Sequence, residues 1–224
     1  MAPLPETTSD FKARTRHEVL AARAAKGQRE RMLDDEALVQ RLQEWLSNTV
    51  GDLAKPIIAA YVPAGDEPGA SVSSSTGGEP GQGFVEALAN AVPGARILLP
   101  VCPPGPPQPL HWGYYNGSFH KGRFGLLEPV SVEDSAGPAE LGVADAIILP
   151  AVAADPATGM RLGRGAGYYD RSLVFARRDD DTDGARTAVI AVAVFDTELR
   201  TELAYDEHDI PADYVITPAG ISQI

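Results

Sequence analysis

With a single cysteine, Cys102, the chain cannot close an internal disulfide, and it has no Cys-x-x-Cys pair to seat zinc. It is also short of basic charge: 19 Lys and Arg stand against 31 Asp and Glu, a formal net charge of -12 over 224 residues. A nucleic-acid binder needs a basic face, so that class is disfavoured, and no nucleic-acid partner is expected. Any polyanionic substrate must be met by the few cations, concentrated at one place. No apolar run approaches the roughly 20 residues that cross a bilayer, so no membrane partner is expected. The opening MAPLPETTSDFKAR has no apolar core of a signal peptide, and the expected location is cytoplasmic. Cys102 ends the apolar run LLPVCPP and reads as a buried, inert thiol.

Hydrophobic residues are not scarce. At 44% they suffice for one good core and are too many for a disordered chain. Residues 1–9 read as a flexible tail. Ser9 or Asp10 is placed to cap a helix through FKARTRHEVLAARAAKG, and Leu38, Leu42 and Leu46 give a second helix over 34–48 one apolar stripe. Short apolar runs then follow: PIIAAYVPA, ARILLPVC, LHWGYY, the segment 124–130, ADAIILPAVA, RTAVIAVAVF and a last strand ADYVITP. Helices over FVEALANAV and from Gly167 to Arg178 are interspersed, and the Gly-, Ser- and Pro-rich residues 64–83 read as a mobile loop. Continuous apolar strands alternating with helices predict one α/β domain, 1–224, with a largely parallel sheet covered on both faces. In such sheets ligands bind beyond the C-terminal strand ends, where LPAVAADPATG and YVPAGDEPG begin.

The densest chemistry lies in LPAVAADPATGMRLGRGAGYYDRSL, residues 149–173. Glycines at 163, 165 and 167 let backbone amides approach an anion, and Arg161, Arg164 and Arg171 offer bidentate donors. Asp170 is placed to hold a divalent cation on a phosphate, so the stretch proposes Mg²⁺-assisted phosphate chemistry. No Gly-Lys-Ser/Thr follows, so it is not a Walker loop, and its Gly-x-Gly-x-Gly spacing is not the dinucleotide fingerprint. On glycine spacing alone, a solvated turn fits equally well. Lys12 and Arg16 share one helix face. Glu67, at a strand end, could bind the N–H groups of a heterocycle or be an ordinary loop charge. Asp209 or Asp213 could complete a Mg²⁺ site with Asp170, His208 reads as a positioning residue, and Tyr61, Trp112, Tyr114, Tyr115 and Phe119 line a flat pocket or simply pack.

Taken together and in order, these segments resemble the 5-formyltetrahydrofolate cyclo-ligase family. The resemblance rests on Lys12-x-x-x-Arg16, YVPAGDEP, LLPVC, GRFGLLEP, GMRLGRGAGYYDR and HDIPADYVITP, spread over nearly the whole chain. It implies a three-layer, Rossmann-like α/β sandwich. It implies ATP as co-substrate, bound by Lys12, Arg16 and the run Arg161, Leu162, Gly163, Arg164, Gly165, Ala166, Gly167, Tyr168 and Tyr169. It implies a reduced folate held by Glu67, Arg164, Gly165, Ala166, Gly167 and Tyr168, and Mg²⁺ held by Asp170 and Asp209. Arg161, Arg164 and Tyr169 become the catalytic candidates, in a monomer or weak dimer. Ala154, Ala166 and Ala70 depart from the family pattern, which commonly has Phe, Gly or Lys, and Thr there. The rivals are a non-catalytic nucleotide- or folate-binding relative and an ATP-independent isomerase or transferase of the same architecture.

Overall fold

The computed structural model describes residues 7–75, 77–130, 137–176, 187–206 and 209–224. Its helices are α1 (Thr8–Ala25), α2 (Gln28–Val50), α3 (Gln82–Ala89) and α4 (Tyr168–Leu173). Its strands are β1 (Ile57–Ala59), β2 (Arg96–Val101), β3 (His111–Tyr114), β4 (Phe119–Lys121), β5 (Leu127–Pro129), β6 (Ala146–Pro150), β7 (Ala153–Ala154), β8 (Arg161–Leu162), β9 (Val189–Ala193), β10 (Tyr214–Ile216) and β11 (Ile221–Gln223).

Seven strands form one sheet in the order β11-β10-β9-β6-β1-β2-β3, with β4-β5 and β7-β8 as small separate ribbons. The inner five strands are parallel; β3 and β11 close the edges antiparallel. Side chains alternate across the sheet as the pleat requires. Ile58, Ile97, Leu99 and Ile148 turn to the face covered by Leu38, Leu42 and Leu46 of α2 and Phe84 and Leu88 of α3. Ala59, Leu98, Ile147, Leu149 and Val192 turn to the other face, with Trp112, Leu141 of a 3-10 turn and Leu173 of α4. Burying each of the α2 leucines contributes about 1.5–3 kcal/mol. The expected α/β sandwich with a largely parallel sheet is what the chain forms. No helix among the described residues is long and apolar enough to cross a membrane.

α1 lies apart from that core. It is fixed by Val19 against Val152, Ala153, Leu162 and Leu203, a small cluster at the C-terminal ends of the strands. Its N-cap is Thr7, not Ser9 or Asp10: the Thr7 hydroxyl accepts the Asp10 amide at 3.2 Å. α2 begins at Gln28, earlier than Asp34, because its first turns are tied to α1. Arg31 donates to the Arg23 carbonyl at 2.7 Å, and Lys26 pairs with Asp34. The expected helix after Gly167 tightens at Ser172 and Leu173, whose carbonyls accept the amides of Phe175 and Ala176 three residues on. In the expected strand 124–130, Phe124 sits instead in a 3-10 turn with φ 59°, and pairing starts at Leu127.

Candidate active site

A cleft of about 1130 Å³ opens across the C-terminal ends of β1, β2 and β6. The residues that the family resemblance assigns to the site all line it: Lys12 and Arg16 from α1, Glu67 after β1, the whole run Arg161 to Asp170, and Asp209 before β10. Topology explains the convergence. Parallel strands put their outgoing loops on one edge, and α1 crosses above that edge.

Cations and carboxylates meet there in pairs. Lys12 Nζ lies 2.6 Å from Asp206 and 3.4 Å from Asp209. Burial pulls the Lys12 ammonium downward, but the two carboxylates outweigh it and leave its pKa raised. Arg161, only 4% exposed, pairs with Asp170 and also donates to the Ile210 carbonyl. Burial lowers its pKa against the opposing charges of Asp170 and Asp209, so both carboxylates act on one guanidinium. Arg164 Nε bonds Glu67 at 2.9 Å, and its Nη2 approaches Asp66 at 3.4 Å.

The glycine loop is held from both sides. Arg16 Nε donates to the Gly163 carbonyl at 2.8 Å, and Arg171 donates to the carbonyls of Ala166 and Gly167. Gly167 precedes α4 with φ 68°, and a Cβ there would stand 2.5 Å from the Arg171 guanidinium. On the opposite rim, the buried carboxylate of Asp35 accepts the amides of Gly69 and Ser71 and the Ser71 hydroxyl, fixing the backbone just after Glu67. Tyr169 has its pKa pushed far above the ordinary range, by desolvation first and the Glu67 charge next. Its hydroxyl therefore stays protonated and able to donate.

The metal assignment can be tested on donor chemistry. Asp170 is 35% exposed at its side chain, and Asp209 shares its guanidinium neighbour. Two carboxylates with room for phosphate oxygens and water suit Mg²⁺, which keeps much of its shell outside the protein. Among the described residues no group of three or more His, Cys, Asp or Glu gathers as an all-protein cage would. His208 lies outside the described residues. Asp213 is not in the cleft; it accepts the Ile190 amide and fixes β9.

Several residues sit differently from expectation. Cys102 is half-buried and lines the cleft, beside the Tyr168 hydroxyl. Of the five aromatics, only Tyr61 reaches the cleft. Trp112 is core, Tyr114 lies against Arg96, and Tyr115 packs on Phe119. Ala154 is fully buried in β7, and Ala70 is nearly so. Sequence reasoning missed Asp206, the nearest partner of Lys12, and Phe124, which lines the cleft at 69% exposure. The signal for Phe124 was an aromatic set just before a glycine in Gly122-Arg-Phe-Gly125.

Residues 8–218 match the sequence model of the 5-formyltetrahydrofolate cyclo-ligase family. The chain belongs to that family. The cyclo-ligase match extends to individual proteins. The chain is 38% identical over 188 residues to the 5-formyltetrahydrofolate cyclo-ligase of Mycolicibacterium smegmatis, covering 82% of this chain and 83% of that one. It is 32% identical over 143 residues to the Escherichia coli cyclo-ligase, covering 62% and 71%. The fold is shared with the 5,10-methenyltetrahydrofolate synthetase of Aquifex aeolicus: TM-score 0.64 at 23% identity, covering 95% of this chain and 92% of that one. It is shared too with that of Mycoplasma pneumoniae: TM-score 0.62 at 19% identity, covering 92% and 98%.

Proposed function

We propose that the chain converts 5-formyltetrahydrofolate to 5,10-methenyltetrahydrofolate, with ATP cleaved to ADP and phosphate. The observation that carries this reading is that phosphate-type cations and Glu67 open on one cleft in a chain of the cyclo-ligase family.

The formyl carbon on N5 is amide-like and a poor electrophile, but its oxygen can act as nucleophile. That oxygen attacks the γ-phosphorus of ATP, and the bond to the β-phosphate oxygen breaks. The product is an N5-iminium phosphate and ADP. N10 then attacks the activated carbon, loses its proton, and the C–O bond breaks to release phosphate and close the ring. The protein's task is positioning and charge stabilisation. Lys12, Arg16 and the 161–167 loop take the phosphates, and Arg161 and Arg164 face the transferring phosphoryl group. Glu67 accepts from the N–H groups of the pterin. Tyr169, kept protonated by its surroundings, is a donor for the formyl oxygen. Asp170 and Asp209 are the residues to hold Mg²⁺, which when bound offsets phosphate charge.

The test is direct. Purified protein mixed with 5-formyltetrahydrofolate, Mg²⁺ and ATP should show a rise in the near-ultraviolet absorbance of the methenyl product at mildly acid pH. No rise, or a rise without ATP, sinks the reading.

A further inference from the structure

The reaction above leaves two arginines of the cleft unused. Arg123 and Arg171 both line it, one half-buried and one exposed. Each is anchored through a single nitrogen. Arg123 Nη1 donates to the carbonyls of Pro103 and Gly105 at 2.8 and 2.6 Å, and Arg171 Nη1 to those of Ala166 and Gly167, both at 2.8 Å. A guanidinium carries five donors in a rigid fork, so each keeps donors on its remaining nitrogens.

Neither has a carboxylate partner among the described residues, whereas Lys12, Arg161 and Arg164 all do. In a chain of net charge -12, two fixed cations facing a cleft with no carboxylate paired to either mark a place for an anion from outside. They belong to one locality: Arg123 holds the Pro103 and Gly105 carbonyls just after Cys102, Arg171 holds the Ala166 and Gly167 carbonyls just before Tyr168, and the Tyr168 hydroxyl meets Cys102. Arg123 is set apart from the phosphate-type cations, while Arg171 clasps the carbonyls that end the glycine loop. Arg123 precedes β5, which packs by β2 and β3, whereas Lys12 and Arg161 meet Asp209 and Ile210 just before β10. In the sheet, β9, β6 and β1 lie between those two ends. Exposed apolar side chains also line the cleft: Phe124 at 69%, Val174 at 57% and Leu126 at 39%. Apolar surface beside two open guanidiniums fits an aryl group with a carboxylate on a chain beyond it.

We propose that Arg123 and Arg171 bind the glutamate carboxylate at the tail of the reduced folate and so select substrates that carry it. This rests on the folate reading of the same cleft. The aminobenzoyl ring lies on the apolar patch, and the carboxylate takes the open sides of the two forks.

The experiment compares kcat/KM for 5-formyltetrahydrofolate and for 5-formyltetrahydropteroate, which lacks the glutamate. The wild-type chain should favour the glutamate form by about 10- to 100-fold, the weight of hydrogen bonds to a charged group. Arg123→Gln should bring that ratio close to one, acting mainly on KM, and Arg123→Lys should restore part of it. A second measurement needs no variant. p-Aminobenzoylglutamate should compete with the folate substrate, and p-aminobenzoate should not. Equal use of both substrates by the wild-type chain overturns the proposal. So does an Arg123→Gln variant whose loss appears in the KM for ATP, which would make Arg123 a phosphate residue. A wild-type chain that turns over neither substrate fails the cyclo-ligase reading itself, and the tail assignment falls with it.

Discussion

Arg23 with Glu198, and Arg164 with Glu67, are the same two functional groups used in opposite ways. The first pair is 1% and 3% exposed, and every oxygen has work: Arg23 gives two 2.7 Å bonds to Glu198 and one to the Ala151 carbonyl, while Glu198 also accepts the Phe195 amide. The second pair is 50% and 15% exposed and held by one good bond. A buried, fully satisfied pair cannot give up a partner without leaving a stranded charge. A pair at a cleft wall can exchange its partner for a ligand of the same charge. The Arg164–Glu67 pair therefore reads as one to be displaced, and the pair beneath α1 as part of the frame.

The sharpest break of that contrast is Glu198→Gln. It should cost about 3–5 kcal/mol of folding stability, read by urea unfolding, while the folded fraction keeps ATP-dependent turnover. A variant as stable as the wild type would place the pair among the expendable ones. Asp170→Asn should act the other way. It should lower kcat/KM for Mg·ATP on the order of 10²-fold and raise the Mg²⁺ requirement. A Mg²⁺ titration matching the wild type would remove Asp170 from the proposed metal site.

A smaller effect concerns the rim. Glu86 accepts bonds from the Ser75 amide, the Ser74 and Ser75 hydroxyls and Gln82, at 2.8 to 3.0 Å. Burial works to raise its pKa, but these bonds outweigh it and hold the carboxyl at about 2, against an ordinary value of 4.5. The folded pKa is the lower one, so this contribution is full above the ordinary value and fades as pH falls toward the folded one. Amide exchange at Ser75 should accelerate in that acid window and not above it. Smallest of all is Arg14→Ala. Its pair with Glu18 is exposed at 49% and 53%, worth about 0.5 kcal/mol or less, and turnover should not change.

The sheet was legible because its strands are continuous apolar runs, from Ile57 to Ile216, bounded by prolines and glycines. β11 was not, since Ile221-Ser-Gln has no pattern of its own and pairs only because Thr217 and Gly220 close a turn beside β10. The gathering of Lys12, Glu67 and the glycine loop followed from the motifs and from where parallel strands end. What no local pattern carries is the pairing inside the cleft. Lys12 meets Asp206 across 194 residues, and Arg164 meets Glu67 across 97. Those partners are set by how α1 and the β1 loop lie over the sheet. Phe124 was hidden for a different reason. Its composition reads as a strand, and a left-handed backbone turns it outward instead.

α1 has a consequence of its own. It rests on the domain through few apolar contacts, yet it carries two cations of the proposed phosphate site. On the proposed reading, a bound nucleotide is a keystone between this helix and the glycine loop, touching both. Occupancy of the cleft and attachment of the N-terminal helix then become one equilibrium. Nucleotide should slow amide exchange along Thr8–Ala25 more than anywhere in the sheet, and loosening Val19 should weaken nucleotide binding from a distance.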